Sequence, residues 1–371
     1  MSLMIPTEDE VMLADAARGF LDDAAPISHL RAMRDAGKTH DAELWAQMAQ
    51  MGWTGVLVPE DAGGSDMGHA AAGVLAEEMG KTLVSSPFLS TAVIAATALR
   101  QVSDDRAKDA LRRIAEGEVI YALAVDEHSK HDPDGVTLEA KADGNGFRLS
   151  GAKTFVCDGL AADRLLVLAK TDGGTTLFDI PADREGVSRD AMAMIDSRDA
   201  ARITFDGVTA TGDDVLGSVD DAMSVLRPAL EAGQAAIAAE MSGVAAGAFG
   251  MTVGYLKERK QFGIEIGRFQ ALQHRAAHLW SETEVTASTI LHAGRQLDAA
   301  PAEATLAVSL AKARATKTVT LAVQEGVQMH GGIGMTDAYD MGFFMKRARV
   351  AAEWLGDYGY HAEKVAKARG L

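Results

Sequence analysis

Apolar residues recur at helical spacing over the first third of the chain. Thr7 stands where it can cap a helix, with Glu10 three residues on, and Val11, Leu13, Ala14, Ala17 and Phe20 supply one apolar face. Trp45, Met48, Ala49, Gly52 and Trp53 continue the pattern. A turn-forming break at Val58-Pro59-Glu60-Asp61-Ala62-Gly63-Gly64 follows, and then another Ala-rich helical stretch toward Lys81. Near Tyr121 the period changes. Val136 to Ala140, the turn Asp143-Gly144-Asn145-Gly146, and Phe147 to Ser150 read as a hairpin, with further strands at Leu165 to Ala169, Thr175 to Ile180 and Arg202 to Phe205. From about Val225 the helical period returns. Arg268 to Ala293 and Ala302 to Glu325 are free of Gly and Pro and rich in Ala and Leu, which predicts long helices packed as a bundle. The expected class is therefore α+β: an N-terminal helical domain over 1–117, a central antiparallel β-barrel-like domain over 118–222, and a C-terminal helical bundle over 223–371. The order is unlike alternating βαβ units, so a doubly wound nucleotide-binding fold is not expected.

Composition narrows the partners. With 371 residues and 47% apolar content, the chain can fill a sizeable core. A formal charge of -17 argues against nucleic acid, whose phosphates demand dense Lys and Arg, and against an anionic membrane surface. An anionic ligand must find a local basic patch. Cys157 is the single cysteine, so an internal disulfide is excluded and a cytoplasmic setting is the default expectation. No uninterrupted apolar run has the length of a bilayer span, and the N-terminus lacks the basic-then-apolar pattern of a signal peptide. His274, His278 and His292 lie on helical stretches without metal-ligand spacing, so no metal is expected; no G-x-S-x-G elbow or catalytic cysteine signature is present.

Three stretches carry candidate chemistry. In Tyr255-Leu256-Lys257-Glu258-Arg259-Lys260-Gln261-Phe262-Gly263, followed by Ile266 to Gln270, Arg259 offers a rigid multi-donor fork for a pyrophosphate. Gln261 and Gln270 offer neutral hydrogen bonds, and Phe262 an apolar face to an adenine or ribose. Alone, this could be a charged surface turn between helices. About 70 residues later, Gln328-Met329-His330-Gly331-Gly332-Ile333-Gly334 is a glycine-rich turn whose backbone N-H groups can approach a phosphate closely. Lys153-Thr154-Phe155-Val156-Cys157-Asp158-Gly159 reads as a strand with an aromatic and a small polar residue on it.

Taken together in this order, these stretches resemble the acyl-CoA dehydrogenase family, and Val58 to Gly64 matches that family's pattern too, so the resemblance spans nearly the whole chain. It implies that Arg259, Gln261, Phe262 and Gln270 grip FAD across a subunit interface, that Gln328, Gly331 and Gly332 line the same cofactor, and that Phe155 and Cys157 lie against the flavin, in the places usually held by Trp and Thr. It implies an acyl-CoA substrate, α,β-dehydrogenation to a 2-enoyl-CoA, and an electron-transfer flavoprotein as acceptor. The assembly implied is a homodimer or homotetramer, or a heteromer with a related subunit. Tyr121 to Glu127 sits where the family has a Thr-Glu-Pro-Gly segment, but here Pro and Gly are absent and His128 to Asp134 follows.

The family's usual base, a glutamate before a glycine after the glycine-rich turn, falls by gapless counting on Leu355. Glu353 and Asp357 lie two residues away on either side, which turns a helical side chain by about 200°, and they read as a solvated pair. The alternative base position of some branches falls on Gly233. Glu240, two helical turns later on nearly the same face, lies in an apolar run where a carboxylate is costly to bury without a purpose or a partner, and it is the candidate base. The competing reading is a carboxylate paired with an Arg of the bundle or of an interface. Glu231 is second. A chain without a base fits a second function: the non-catalytic FAD-site subunit of a heteromeric enzyme, resembling the family's small-subunit branch. An acyl-CoA oxidase is a third.

Overall fold

The computed structural model describes residues 4–371. Its N-terminal helices are α1 (Glu8–Ala24), α2 (Ile27–Asp35), α3 (Ala42–Gln50), α4 (Gly68–Thr82), α5 (Ala96–Leu99), which continues a π-helical stretch Phe88–Ala95, and α6 (Asp105–Ala115). At the start of α1 the expected capping box is formed: the Thr7 hydroxyl accepts from the Glu10 N-H at 3.2 Å, and Glu10 accepts from the Thr7 N-H at 2.6 Å. The strands are β1 (Tyr121–Ala124), β2 (Glu139–Asp143), β3 (Gly146–Cys157), β4 (Arg164–Lys170), β5 (Thr175–Pro181), β6 (Val187–Ala191) and β7 (Ala200–Ala210). Then come α7 (Ala222–Glu258), a small hairpin of β8 (Lys260–Gln261) and β9 (Ile264–Glu265), α8 (Gln270–Ala299), α9 (Thr305–His330), α10 (Met341–Glu353) and α11 (Tyr358–Ala368). The architecture is the expected one, with helical, sheet and helical regions in that order.

Chain compaction groups these elements into two units. One contains residues through Ala32, His69–Val84 and Gln234–Leu371; the other contains Met33–Gly68 and Ser85–Gly233. In the first, α4 and α7 touch backbone to backbone, because a Cβ on Gly243 would lie 1.9 Å from the Glu77 carbonyl oxygen. In the second, the strands run β1-β4-β2-β3-β7-β6, with β5 on the other edge of β4. The sheet is antiparallel except where β4 meets β1, and β2 at Glu139 and Lys170, in parallel. The β2–β3 hairpin inserted between β1 and β4 lets those two strands run the same way. Its turn is Gly144-Asn145, as the sequence suggested, although β2 begins at Glu139 instead of Val136. Leu165 to Ala169 are all fully buried, the pattern of a central strand covered on both faces.

α7 is long and apolar enough to cross a membrane by length and composition, and 67% of its most apolar window is buried inside the protein. That is the burial expected of a core helix.

Candidate functional site

The cationic stretch after α7 folds into a rigid platform. β8 and β9 pair Lys260 with Glu265 and Gln261 with Ile264, which leaves Phe262-Gly263 as a two-residue turn. Both turn residues have positive φ, +55° and +82°, the type I′ signature that closes a tight hairpin. Phe262 is therefore held at the tip, 93% exposed, with its ring edge-on to Phe269 at 6.2 Å. An aromatic so exposed and so fixed marks a surface built for contact. The exposed Arg259 closes α7, its N-H donating to the Tyr255 carbonyl at 2.9 Å and its carbonyl accepting from Ile266 at 2.8 Å. Its guanidinium has no ion-pair or hydrogen-bond partner among the described residues, so the fork is open to an anion. Gln270 is exposed at the first turn of α8. Gln261 is exposed as well, but its amide donates back to the Lys260 carbonyl at 2.6 Å, a local use the sequence did not suggest.

The glycine-rich turn lies beside this platform. His330, the last residue of α9, packs its ring 4.5 Å from Tyr255 of α7 and 4.9 Å from Tyr339. These rings join the two motifs that lie far apart in sequence. Gly331 turns with φ +65°, and Cβ atoms built on Gly331 and Gly332 would meet nothing within 4 Å. Gln328 is exposed on the preceding turn. Arg259, Phe262, Gln270, Gln328, Gly331 and Gly332 thus occupy one exposed end of the helical unit, with a free cationic fork and open backbone. This set fits a phosphate-bearing cofactor.

In the sheet unit, the pairing of β3 with β7 slips between Lys153 and Val156. Phe155 takes φ +51° there and is 41% exposed, so the irregularity turns its ring outward. Cys157, on the same strand, is buried, and its Sγ donates to Asp158 Oδ2 at 3.0 Å. Burial, then the Asp158 charge, push the thiol well up, which disfavours the thiolate. Ser90 Oγ also donates to Asp158, whose carboxyl is pushed up to about 7, chiefly by burial. The divergent segment before it is tied down by carboxylates. Glu127 accepts from the buried Lys153 at 2.8 Å and from the Leu138 N-H at 2.9 Å, and His131 Nδ1 lies 2.9 Å from Asp126.

Glu240 has the partner that the competing reading required. Arg347 of α10, fully buried, donates to Glu240 Oε1 at 3.2 Å, to the Val84 carbonyl at 2.9 Å and to the Leu83 carbonyl at 3.2 Å. Glu353 and Asp357 do not pair with each other. Glu353 accepts from Arg349 at 2.6 Å, and Asp357 caps α11 by accepting from the Tyr360 N-H at 2.9 Å. Two carboxylates repel, and each has found its own donor. Leu355 is buried with φ +54°. Sequence reasoning missed Arg347, Lys312, Ser90 and Asp158. For Lys312 the signal was a charge amid apolar neighbours, Leu310-Ala311-Lys312-Ala313, of the kind that singled out Glu240; the others carry no such local signal.

The described residues thus set an open arginine fork beside a glycine turn in a helical, sheet, helical chain. The family models "Acyl-CoA dehydrogenase, N-terminal domain" and "Acyl-CoA dehydrogenase, C-terminal domain" match residues 7–118 and 222–369. The chain is 28% identical to "Acyl-CoA dehydrogenase IpdE2" of Mycobacterium tuberculosis over 357 residues, 95% of this chain and 94% of that one. The solved structure of a single-residue variant of the "Tcur3481-Tcur3483 steroid ACAD" is 30% identical with a TM-score of 0.88, covering 98% of each chain. The "ChsE4-ChsE5 complex from Mycobacterium tuberculosis" shares the fold, with a TM-score of 0.90 at 24% identity, over 100% of this chain and 99% of that one. The chain belongs to the acyl-CoA dehydrogenase family, flavoprotein oxidoreductases that dehydrogenate acyl-CoA thioesters.

Proposed function

We propose that this chain binds FAD and takes part in α,β-dehydrogenation of an acyl-CoA to a 2-enoyl-CoA, with electrons leaving to an electron-transfer flavoprotein. The carrying observation is the unpartnered Arg259 guanidinium on a fixed hairpin beside the open Gly331-Gly332 backbone. When bound, FAD supplies the hydride acceptor. Arg259 holds its pyrophosphate, Phe262 covers an apolar part of the nucleotide, Gln270 and Gln328 donate or accept neutral hydrogen bonds, and Phe155 offers an aromatic face. Because the hairpin tip projects into solvent, this grip serves a neighbouring subunit, in a homo-oligomer or with a related chain. We place the protein in the cytoplasm on the same reading.

A second reading is favoured by the missing base: this chain is the FAD-site subunit of a heteromer and a related chain abstracts the proton. Glu240 is engaged by Arg347, and position 355 is apolar. The experiment is to purify the chain alone, record the flavin spectrum, and add acyl-CoAs of varied length. Bleaching supports the first reading. Flavin that bleaches only after a related, base-bearing chain is added supports the second, and a colourless protein that takes up no FAD refutes both.

A further inference from the structure

Lys312 sits in the first half of α9 with no exposed surface. Its Nζ donates to the carbonyls of Ala351 at 3.2 Å, Ala352 at 3.2 Å and Gly356 at 2.9 Å. A lysine ammonium has three donors, and these three carbonyls engage all of them. Two belong to the last turn of α10, where carbonyls lack intrahelical partners and the helix dipole is negative. Burial pulls the amine down to about 7, while Glu353 and Asp357 act in the opposite sense. The carbonyls and the dipole favour the charged form that carries three donors. The carbonyl of Leu355, between these anchor points, is taken by Gln234 Nε2 at 3.2 Å and by His361 Nε2 at 3.0 Å. Asp357 then starts α11.

The turn so held is strained. Leu355 stands at φ +54° and Gly356 at φ +105°. A leucine in the left-handed region is strained and persists only where the surroundings over-determine it. Here a buried lysine, a glutamine and a histidine all fasten a segment of a few residues. So many buried polar groups are out of proportion to joining two short helices.

We propose that Lys312 is the positioning residue of the 353–357 turn, clamping its carbonyls so that the side chain at 355 is presented in one fixed direction. This rests on the reading above, in which position 355 stands where the family's proton-abstracting carboxylate belongs.

The test has two arms. In the first, amide exchange is measured by peptide mass spectrometry in wild type, Lys312→Met, Leu355→Gly and the double variant. Lys312→Met should speed exchange across 351–361 by about 10- to 100-fold, the loss expected when a clamp opposing this strain is removed. Glycine adopts positive φ without steric cost, so in the Leu355→Gly background the same change should have an effect below about 3-fold. An equal effect in both backgrounds, or a loss spread over the whole bundle, overturns the clamp. Should Lys312→Met fail to fold, recovery of folding by added Leu355→Gly supports the proposal and failure of both overturns it. In the second arm, Leu355→Glu in the flavin-loaded protein should raise acyl-CoA-dependent bleaching at least about 10-fold, a modest share of a general base's usual effect. Adding Lys312→Met should remove that gain without changing the half-saturating acyl-CoA concentration. No gain, with FAD and acyl-CoA both bound, overturns the role of position 355. A wild-type chain that takes up no FAD refutes the functional reading instead, and the exchange measurements still decide the clamp.

Discussion

Replacing Arg347 with methionine probes its buried partnership with Glu240. The guanidinium ties three segments together: Glu240 of α7 at 3.2 Å, and the Leu83 and Val84 carbonyls just past α4 at 3.2 and 2.9 Å. Leu83 itself has φ +60°, so the chain leaves α4 through a left-handed residue whose carbonyl accepts from this arginine. Methionine keeps most of the volume but strands a carboxylate and two carbonyls in a site where Arg347 is 1% and Glu240 10% exposed. Breaking a buried pair by removing one partner costs about 3–5 kcal/mol. Glu240→Gln leaves Arg347 its carbonyls and a neutral amide oxygen, so its cost should be smaller, about 1–3 kcal/mol. In the double variant the uncompensated carboxylate is gone, and the loss should fall well short of the sum of the singles. Urea unfolding of all four proteins gives the coupling directly. If the two losses simply add, the pair is not coupled. If Glu240→Gln leaves stability unchanged but abolishes flavin reduction by acyl-CoA, Glu240 is the base and the structural account is refuted.

Three other outcomes follow from the same geometry. Arg259→Ala should release FAD with a stability change within about 0.5 kcal/mol, because the side chain is exposed and unpartnered; full flavin occupancy in that variant removes the assignment. Gly332→Val adds atoms into space where a Cβ meets nothing within 4 Å, so the chain should fold normally and lose flavin affinity; loss of stability with unchanged affinity would make the turn purely structural. For Asp158, the folded carboxyl titrates at about 7 against an ordinary value of 3.8, so between about pH 4 and 7 the native state holds a proton that the unfolded state has released. Stability should therefore fall as pH rises through that window and level off above it. Asp158→Asn should flatten this dependence and gain about 2–4 kcal/mol at pH 8, the order set by 1.4 kcal/mol per pKa unit over that shift; an unchanged pH profile in urea unfolding would refute it.

The sequence by itself determined the elements whose cause is local. Periodicity placed the helices, Gly144-Asn145 placed the hairpin turn, and Thr7 with Glu10 formed the capping box, because each depends on neighbours a few residues apart. It also singled out the Arg259 stretch and the glycine-rich turn. Only the tertiary structure brought those two together, through the Tyr255, His330 and Tyr339 rings. Only it decided the fate of charged residues in apolar runs. Glu240 and Lys312 look alike in sequence, each a charge among alanines, yet one meets a buried arginine and the other two helix-end carbonyls and a turn carbonyl. Only it showed that the Cys157 thiol donates to Asp158, its neighbour in sequence. A buried polar group is defined by the partner that satisfies it. That partner comes from a distant segment whose register no local pattern encodes.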